Sequence, residues 1–137
     1  MDFGKAIEIA TYNIDEYSKK LTYLRDYYIK EIQRNIPFVK LNGHPYKRLP
    51  GNINMSFEGI NGGAVVLLLA EEGVFCSSAS ACSTGDKTPS HVLKALGLPD
   101  DVAKGTLRMT FGEENNLDDI KNILKILQKI IERQRKT

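Results

Sequence analysis

The chain has 137 residues, of which 42% are hydrophobic and 26% are charged, the composition of an ordinary globular protein. Lysine and arginine total 19 against 17 acidic residues, and a formal net charge of +2 lacks the basic excess typical of nucleic-acid binding. The longest apolar run, residues 64–70, is far shorter than the ~20 residues of a membrane-spanning helix. The first residues lack the basic and apolar regions of a secretory signal. We therefore expect one soluble, cytoplasmic domain, residues 1–137, that binds neither nucleic acid nor membrane.

The first third of the chain carries one apolar stripe at helical spacing, from Ile7 to Ile32. The pattern stops at Pro37, because a proline disfavours helix at the residue before it. This pattern predicts one long linking helix over residues 1–35. A short strand, Phe38–Leu41, and a turn-rich stretch are expected to follow.

The middle of the chain gives strand and helix signals in turn. Residues Ile53–Phe57 alternate apolar and polar side chains with period two, which is typical of a half-buried strand. Asn61 can open a helix over Ala64–Glu72, and Gly73 can end it with a left-handed backbone. The apolar run Val74–Cys76 predicts a further brief strand.

Residues 77–88 are mostly Ser, Ala, Gly, Thr and Asp, and they show no periodicity. This composition predicts a mobile loop, because no bulky side chain anchors it to a core. Thr88 as a cap and Pro89 in the first turn then predict a helix that ends at Gly97.

The last part of the chain predicts a strand and a closing helix. Thr106–Thr110 would place Leu107 and Met109 on one face of a sheet and Arg108 on the other. An asparagine cap and two acidic residues in the first turn predict a helix over residues 116–135. The fold class expected is α/β (α+β), with a small mixed or antiparallel sheet of three to four strands against two long amphipathic helices.

Two cysteines and two scattered histidines predict neither a disulfide framework nor a metal site. Cys82 lies among small residues, where a thiol can approach a substrate closely, although an incidental thiol on a surface loop would show the same pattern. Cys76 follows two apolar residues, which favours core packing. His91, in the first turn of a helix, and His44, in a turn, are expected to be packed or solvated rather than to act as bases.

Four motifs cover most of the chain: Leu49–Ile60, Ser77–Gly85 with its Ser-Ser-x-Ser-Ala-Cys pattern, Pro89–Gly97 and Thr106–Gly112. Their sequences and their order resemble those of the NifS/IscS-type cysteine desulfurases. These are pyridoxal-phosphate enzymes of the class V aminotransferase group, with fold type I. Residues 3–6 and 118–120 also resemble the family, at the link between its two domains and at the start of its closing helix.

The resemblance implies that Cys82 is the catalytic nucleophile, which takes sulfur from L-cysteine as a persulfide while L-alanine is released. It also implies that Arg108 binds the carboxylate of the substrate. Without the resemblance, Arg108 is better interpreted as a surface arginine paired with an acid such as Glu113. The expected partners are a sulfur acceptor, such as an iron–sulfur scaffold or a tRNA-thiolation protein, and a second copy in a full-length homodimer.

The chain also departs from this family. It has no Ser-x-His-Lys stretch for the cofactor lysine and no glycine-rich phosphate loop, so it resembles only the C-terminal small domain. Pyridoxal phosphate is therefore expected in the full-length enzyme, whereas this chain alone has no cofactor-binding residue and is expected to be inactive. Two alternatives are a non-catalytic protein-interaction module and the small domain of a class V transaminase or selenocysteine lyase.

Overall fold

The computed structural model describes residues 2–78 and 90–137 of the chain. Within these ranges, helices and strands form a mixed α/β arrangement, as the sequence predicts. In chain order the elements are α1 (Phe3–Tyr12), α2 (Ile14–Asn35), β1 (Val39–Leu41), β2 (Asn52–Phe57), α3 (Gly62–Glu71), α4 (His91–Ala95), α5 (Asp100–Lys104), β3 (Thr106–Thr110) and α6 (Leu117–Lys136).

The three strands form one antiparallel sheet in the order β1-β2-β3. Ile53 pairs with Met109 and Met55 pairs with Leu107, so these four apolar side chains share one face. The residues between them, including Arg108, point to the opposite face. The predicted small antiparallel sheet and the predicted alternation along β3 are both confirmed.

The apolar face of the sheet forms the core together with α2, α3 and α6. Tyr28 of α2 is fully buried there, and its ring meets the edge of Phe111 at a centroid distance of 5.3 Å. Each fully buried large apolar side chain contributes about 1.5–3 kcal/mol. The two long helices are therefore amphipathic, as predicted; their buried apolar residues are Leu21, Leu24, Tyr28, Ile29 and Ile32 in α2 and Ile120, Leu124, Leu127 and Ile131 in α6.

Both ends of α6 are fixed by hydrogen bonds. At its start, Asn116 and Asp119 form a reciprocal capping box with two bonds of 3.0 Å. At its end, the Arg135 guanidinium donates to the carbonyls of Pro37, Phe38 and Glu58. These bonds hold Phe38 in a left-handed conformation, with φ of 54°. The strand predicted over Phe38–Leu41 accordingly begins one residue later, since this backbone angle does not fit a strand.

The helix predicted over residues 1–35 is divided into α1 and α2 by Asn13, whose φ of −121° and ψ of 24° are not helical. None of the residues of α1 is buried. Its part of the apolar stripe therefore faces no core that would hold it in line with α2. Asparagine favours such a break, because its side chain competes with helical backbone bonds.

Two further predictions are corrected by the structure, and one helix was not predicted. Val74–Cys76 is not a strand, although Ser77 forms an isolated antiparallel bridge with Arg108. The helix predicted from Pro89 begins at His91, and Ser90 caps it through a bond from the Val92 amide. Helix α5 was not predicted, and its two aspartates lie in the first turn of a five-residue helix.

Two shorter predictions are confirmed at the helix ends. Asn61 caps α3 by accepting from the Ala64 amide, and Gly73 follows with φ of 77°. Gly97, with φ of 76°, follows α4 in the same manner. Within the described ranges, no helix is both long and apolar enough to cross a membrane.

Candidate active site

A row of polar residues crosses the sheet on the face opposite the core. Arg108 of β3 lies directly across from Asn54 of β2 in the antiparallel register. The backbone N–H of Asn42 donates to the backbone carbonyl of Asn54 at 2.9 Å, which extends the row beyond the end of β1. On the other side of Arg108, the bridge to Ser77 adds a fourth member. The row therefore places side chains from four chain segments on one surface.

Arg108 is held firmly by its backbone, while its side chain stays available. Its amide donates to the Ser77 carbonyl at 2.6 Å, and its carbonyl accepts from the Ser77 amide at 3.0 Å. The side chain is half-buried, and its guanidinium makes no hydrogen bond or ion pair with any residue in 2–78 or 90–137. The pairing with Glu113 that the sequence alone favoured is thus not observed among these residues.

A cleft of about 370 Å³ lies over this polar row, with α4 on its other side. Its volume lies within the range of small-molecule sites, about 300–1,000 Å³. Ser78 and Ser90 both line it, and they are the described residues on either side of 79–89. Cys82, the predicted nucleophile, lies in 79–89 and so outside the described residues. The residues that flank the segment with Cys82 therefore both lie at the cleft.

The charged groups of the cleft are all cations. Lys47, Arg48 and Arg108 line it, and no acidic residue in the described part of the chain does. The Arg48 guanidinium donates to the Asn52 carbonyl at 3.0 Å, and burial, followed by the nearby Arg25, lowers its pKa. A cleft with this charge distribution favours an anionic ligand.

A buried chain of hydrogen bonds lies beneath the cleft. Asn42 donates from Nδ2 to Ser56 Oγ at 2.8 Å, Ser56 and Thr106 are joined at 2.6 Å, and Thr106 Oγ1 donates to the Val102 carbonyl. Ser56 Oγ accepts from Asn42, and either hydroxyl can be the donor between Ser56 and Thr106.

Asn42 also has a buried atom that this network leaves unsatisfied. Both protons of its Nδ2 are used, on Ser56 and on Asn54 Oδ1. Its own Oδ1 has no hydrogen-bond partner among the described residues. A buried acceptor without a partner costs about 1–3 kcal/mol, so native structures contain few such atoms.

Sequence reasoning did not identify Asn42, Ser56 or Thr106. Asn42 was placed in the turn-rich stretch, and its burial depends on the bond to Asn54, twelve residues away. The sequence did contain one indication of this network: Ser56 and Thr106 are small polar residues on the strand face that also carries Arg108.

Cys76 lies away from the cleft and packs against the core. It is half-buried, as expected of a packed thiol, although it is not on a strand. Burial raises the pKa of this thiol, so it stays protonated at neutral pH. The thiolate is the nucleophilic form of cysteine, so this burial lowers the reactivity of Cys76.

Among the described residues, neither histidine side chain forms a hydrogen bond or ion pair with another titratable side chain, and the His44 ring lies edge-on to the Tyr46 ring at a centroid distance of 6.3 Å. His91 is exposed at the start of α4 and does not line the cleft. His44 is exposed at the edge of the cleft, where its Nδ1 accepts from the backbone amides of Tyr46 and Lys47. Among the residues described, no three His, Cys, Asp or Glu side chains are grouped as a metal site would require.

A family model and the curated relatives of this chain agree on one protein family. A family model for aminotransferase class-V matches residues 1–123. Cysteine desulfurase IscS of Clostridium botulinum strain Hall is 46% identical over 134 residues, which are 96% of this chain and 34% of that protein. Cysteine desulfurase IscS of Dictyoglomus turgidum is 44% identical over 132 residues, with the same coverage of 96% and 34%. The chain thus spans about a third of the length of the curated relatives it matches.

Solved structures give the same fold. A NifS-like protein from Rickettsia africae matches with a TM-score of 0.81 at 22% identity, over 95% of this chain and 33% of that one. A second NifS-like protein matches with a TM-score of 0.79 at 22% identity, over 94% of this chain and 32% of that one. At this level of identity, the likeness concerns the fold alone.

Proposed function

The chain belongs to the class V aminotransferase family, and on this basis we propose that it is the C-terminal small-domain part of a cysteine desulfurase. The observation that carries the proposal is the Arg108 guanidinium, which lies in the cleft between the two ends of the segment with Cys82. Residues 2–78 and 90–137 provide neither a partner for this guanidinium nor an acidic group in the cleft lining. The cysteine desulfurases at 44% and 46% identity support the choice of reaction within the family.

We propose that Arg108 binds the carboxylate of L-cysteine. A guanidinium offers two parallel N–H donors that match the two oxygens of a carboxylate. The backbone bonds to Ser77 and the pairing across from Asn54 hold the strand under this side chain. Because the described residues leave the guanidinium unpaired, binding a carboxylate breaks no ion pair among them.

Cys82 is the proposed sulfur acceptor within the chain. L-Cysteine and the Cys82 thiol would give L-alanine and a Cys82 persulfide, with the carbon–sulfur bond of the substrate broken and a sulfur–sulfur bond formed. Cys82 is four residues after Ser78, so covalent geometry limits the distance between their Cα atoms to about 14 Å. A thiol on so short a tether can reach a ligand bound in the cleft. The persulfide would then pass its sulfur to an acceptor protein, such as an iron–sulfur scaffold.

Pyridoxal phosphate is the cofactor that this function implies, and the described residues do not fit it by themselves. A phosphate group needs free backbone N–H groups, typically at the start of a helix. The helix start nearest the cleft has its Val92 amide already bonded to Ser90. The cations of the cleft include one lysine, Lys47, which is exposed in a turn. We therefore place the cofactor site in the remainder of the longer protein.

The exposed apolar side chains of α1 favour a part of a larger protein over an independent interaction module. Phe3 and Tyr12 are 81% and 86% exposed, and Ile7 and Ile9 are also exposed. Such a surface is unusual for a complete protein. We expect these residues to contact the rest of the longer protein, which would act as a homodimer.

The proposed function is tested in the longer protein that contains this chain. L-Cysteine is supplied, L-alanine is measured, and the mass of the Cys82 peptide is determined for an added sulfur. The proposal predicts alanine formation and a persulfide at Cys82, both lost in Cys82→Ala, while Cys76→Ala retains both. Alanine formation that persists in Cys82→Ala would contradict the role of this residue. A transaminase or an interaction module would show neither alanine formation nor a persulfide.

A further inference from the structure

Asn54 is the direct cross-strand neighbour of Arg108 on the cleft face of the sheet. The two residues are opposite each other in the register of β2 and β3, and both line the cleft. The backbone N–H and carbonyl of Arg108 are both bonded to Ser77, so they point away from β2. The pair is therefore of the non-hydrogen-bonded type, in which the Cα atoms are about 4.5 Å apart and the side chains lie closest. A small group between the two side chains can contact both of them.

The side-chain amide of the half-buried Asn54 has its acceptor occupied and its donor available. Its Oδ1 accepts from Asn42 Nδ2 at 2.9 Å, whereas its Nδ2 makes no hydrogen bond with any residue in 2–78 or 90–137. Turning both amides around would replace the one unpaired acceptor of Asn42 with two unpaired donors, so the observed orientation is the better satisfied one. Asn54 therefore offers N–H donors, and no acceptor, to a ligand in the cleft.

Asn42 holds the Asn54 amide in this orientation. Asn42 is only 3% exposed, and its backbone N–H donates to the Asn54 carbonyl at 2.9 Å. Its Nδ2 spends one proton on Asn54 Oδ1 and the other on Ser56 Oγ, at 2.8 Å. The amide that supports Asn54 is thus itself fixed by three hydrogen bonds. A donor that is already oriented loses little conformational freedom when a ligand binds.

We propose that Asn54 is a further substrate-binding residue, whose Nδ2 donates to the substrate carboxylate beside Arg108, and that Asn42 is its positioning residue. An amide donor next to a guanidinium matches an anionic oxygen, because both groups can only donate. The inference rests on the proposed function, in which this cleft binds the carboxylate of L-cysteine. It deepens that function, because the carboxylate is then held from two adjacent strands rather than by Arg108 alone.

The test measures binding to the longer protein that contains this chain by calorimetry, with two matched probes. 3-Mercaptopropionate is L-cysteine without its amino group, and 3-mercaptopropionamide has a neutral amide in place of the carboxylate. The readout is the preference for the carboxylate, given by the ratio of the two dissociation constants, which requires no turnover. We expect Asn54→Ala to lower this preference about ten-fold or more, the effect of one charge-assisted hydrogen bond. Damage to the fold would instead weaken the binding of both probes.

Further variants separate the Asn54 donor from the general electrostatics of the cleft. Asn54→Asp keeps an oxygen for Asn42 Nδ2 and replaces the N–H donors with a second oxygen, so it should abolish the preference. Asn52→Asp adds the same charge on the same face of β2, but opposite Thr110, so it should lower the preference less. Asn42→Ala should lower the preference in the wild-type background and not in Asn54→Ala, because Asn42 acts through Asn54.

Arg108→Lys, measured with the same probes, separates failure of this inference from failure of the proposed function. If Arg108→Lys lowers the preference and Asn54→Ala does not, or if the two aspartate variants have equal effects, the inference is overturned and the role of Arg108 stands. If Asn54→Ala lowers the preference and Arg108→Lys does not, the role of Arg108 in the proposed function is contradicted and the inference about Asn54 stands. A wild-type protein without any preference for the carboxylate would overturn both.

Discussion

Ser77 and Arg108 exchange both of their backbone hydrogen bonds, at 2.6 Å and 3.0 Å. This single bridge ties the residue before the cleft-lining Ser78 to the strand that carries the unpaired guanidinium. A shift of β3 would therefore move Arg108 and the start of the Cys82 segment together. The bridge couples the proposed carboxylate-binding group to the proposed nucleophile through the backbone.

The two cysteines should differ in reactivity. We expect iodoacetamide to alkylate Cys82 much faster than Cys76, because Cys76 is half-buried and burial raises the pKa of its thiol. The adducts are mapped by mass spectrometry on the native chain and, as a control, in denaturant, where the two rates should converge. Equal rates in the native chain, or faster labelling of Cys76, would contradict this difference.

The stability of the chain should fall at alkaline pH. Burial raises the pKa of the Cys76 thiol and of the Tyr28 phenol, so the unfolded chain loses these protons at lower pH than the folded chain. The free energy of unfolding is thus highest while both groups are protonated and decreases above about pH 9. Denaturant titrations at successive pH values measure this decrease.

The Cys76→Ala variant provides the control for that pH dependence. It removes the first group to ionise, so the decrease should begin at higher pH, where Tyr28 ionises. If wild type and Cys76→Ala showed the same dependence of the free energy of unfolding on pH, the burial of this thiol would not contribute to that dependence.

Gly105 should not tolerate a side chain. A Cβ at this position would overlap the Phe57 carbonyl oxygen, and the Gly105 carbonyl accepts from the Phe57 amide. We expect Gly105→Ala to lower the free energy of unfolding by about 1–3 kcal/mol or more, since the obstacle is backbone. In the control Gly4→Ala, on exposed α1, the new Cβ lies 3.6 Å from the nearest atom. That change should raise the free energy of unfolding by about 0.5–1 kcal/mol. Urea titrations measure both variants, and similar effects of the two would contradict a steric requirement for glycine at position 105.

The chain alone should not bind pyridoxal phosphate at a specific lysine. Lys47 lines the cleft, and at the start of α4 beside it the Val92 amide is already bonded to Ser90 rather than free for a phosphate. The chain is titrated with the cofactor, treated with borohydride and mapped by mass spectrometry. We expect only sparse labelling spread over exposed lysines. Stoichiometric labelling of one lysine would show that this chain contains a cofactor site.

Local patterns predicted the parts of the fold in which neighbouring residues decide the structure. The alternation of Leu107, Arg108 and Met109 predicted the two faces of β3, and the Asn116 cap predicted the start of α6. The features of the fold that the sequence did not predict depend on contacts between distant parts of the chain. Asn13 breaks a continuous apolar stripe because α1 has no core to face, and Val74–Cys76 lacks a strand partner.

The candidate site was also predicted only in part, because some of its residues are set by local motifs and others by long-range contacts. Arg108 was identified from a family motif, and in the structure it lines a cleft and has no side-chain partner among the residues on either side of 79–89. Cys82 lies outside the described residues, so its role stays a prediction. Asn42 could not be identified, since its burial depends on a long-range bond to Asn54.

The most direct test of the central claim is the KM for L-cysteine of Arg108→Lys in the longer protein. Lysine keeps the charge but loses the two-pronged geometry, so one charge-assisted bond is lost, which corresponds to about 1.5–3 kcal/mol or roughly 10–150-fold in affinity. Arg133→Lys, at an exposed position on α6, is the matched control. We predict a KM raised by that factor in Arg108→Lys, with unchanged thermal unfolding, and no change in the control. An unchanged KM, or a variant that merely unfolds, would contradict the carboxylate-binding role of Arg108.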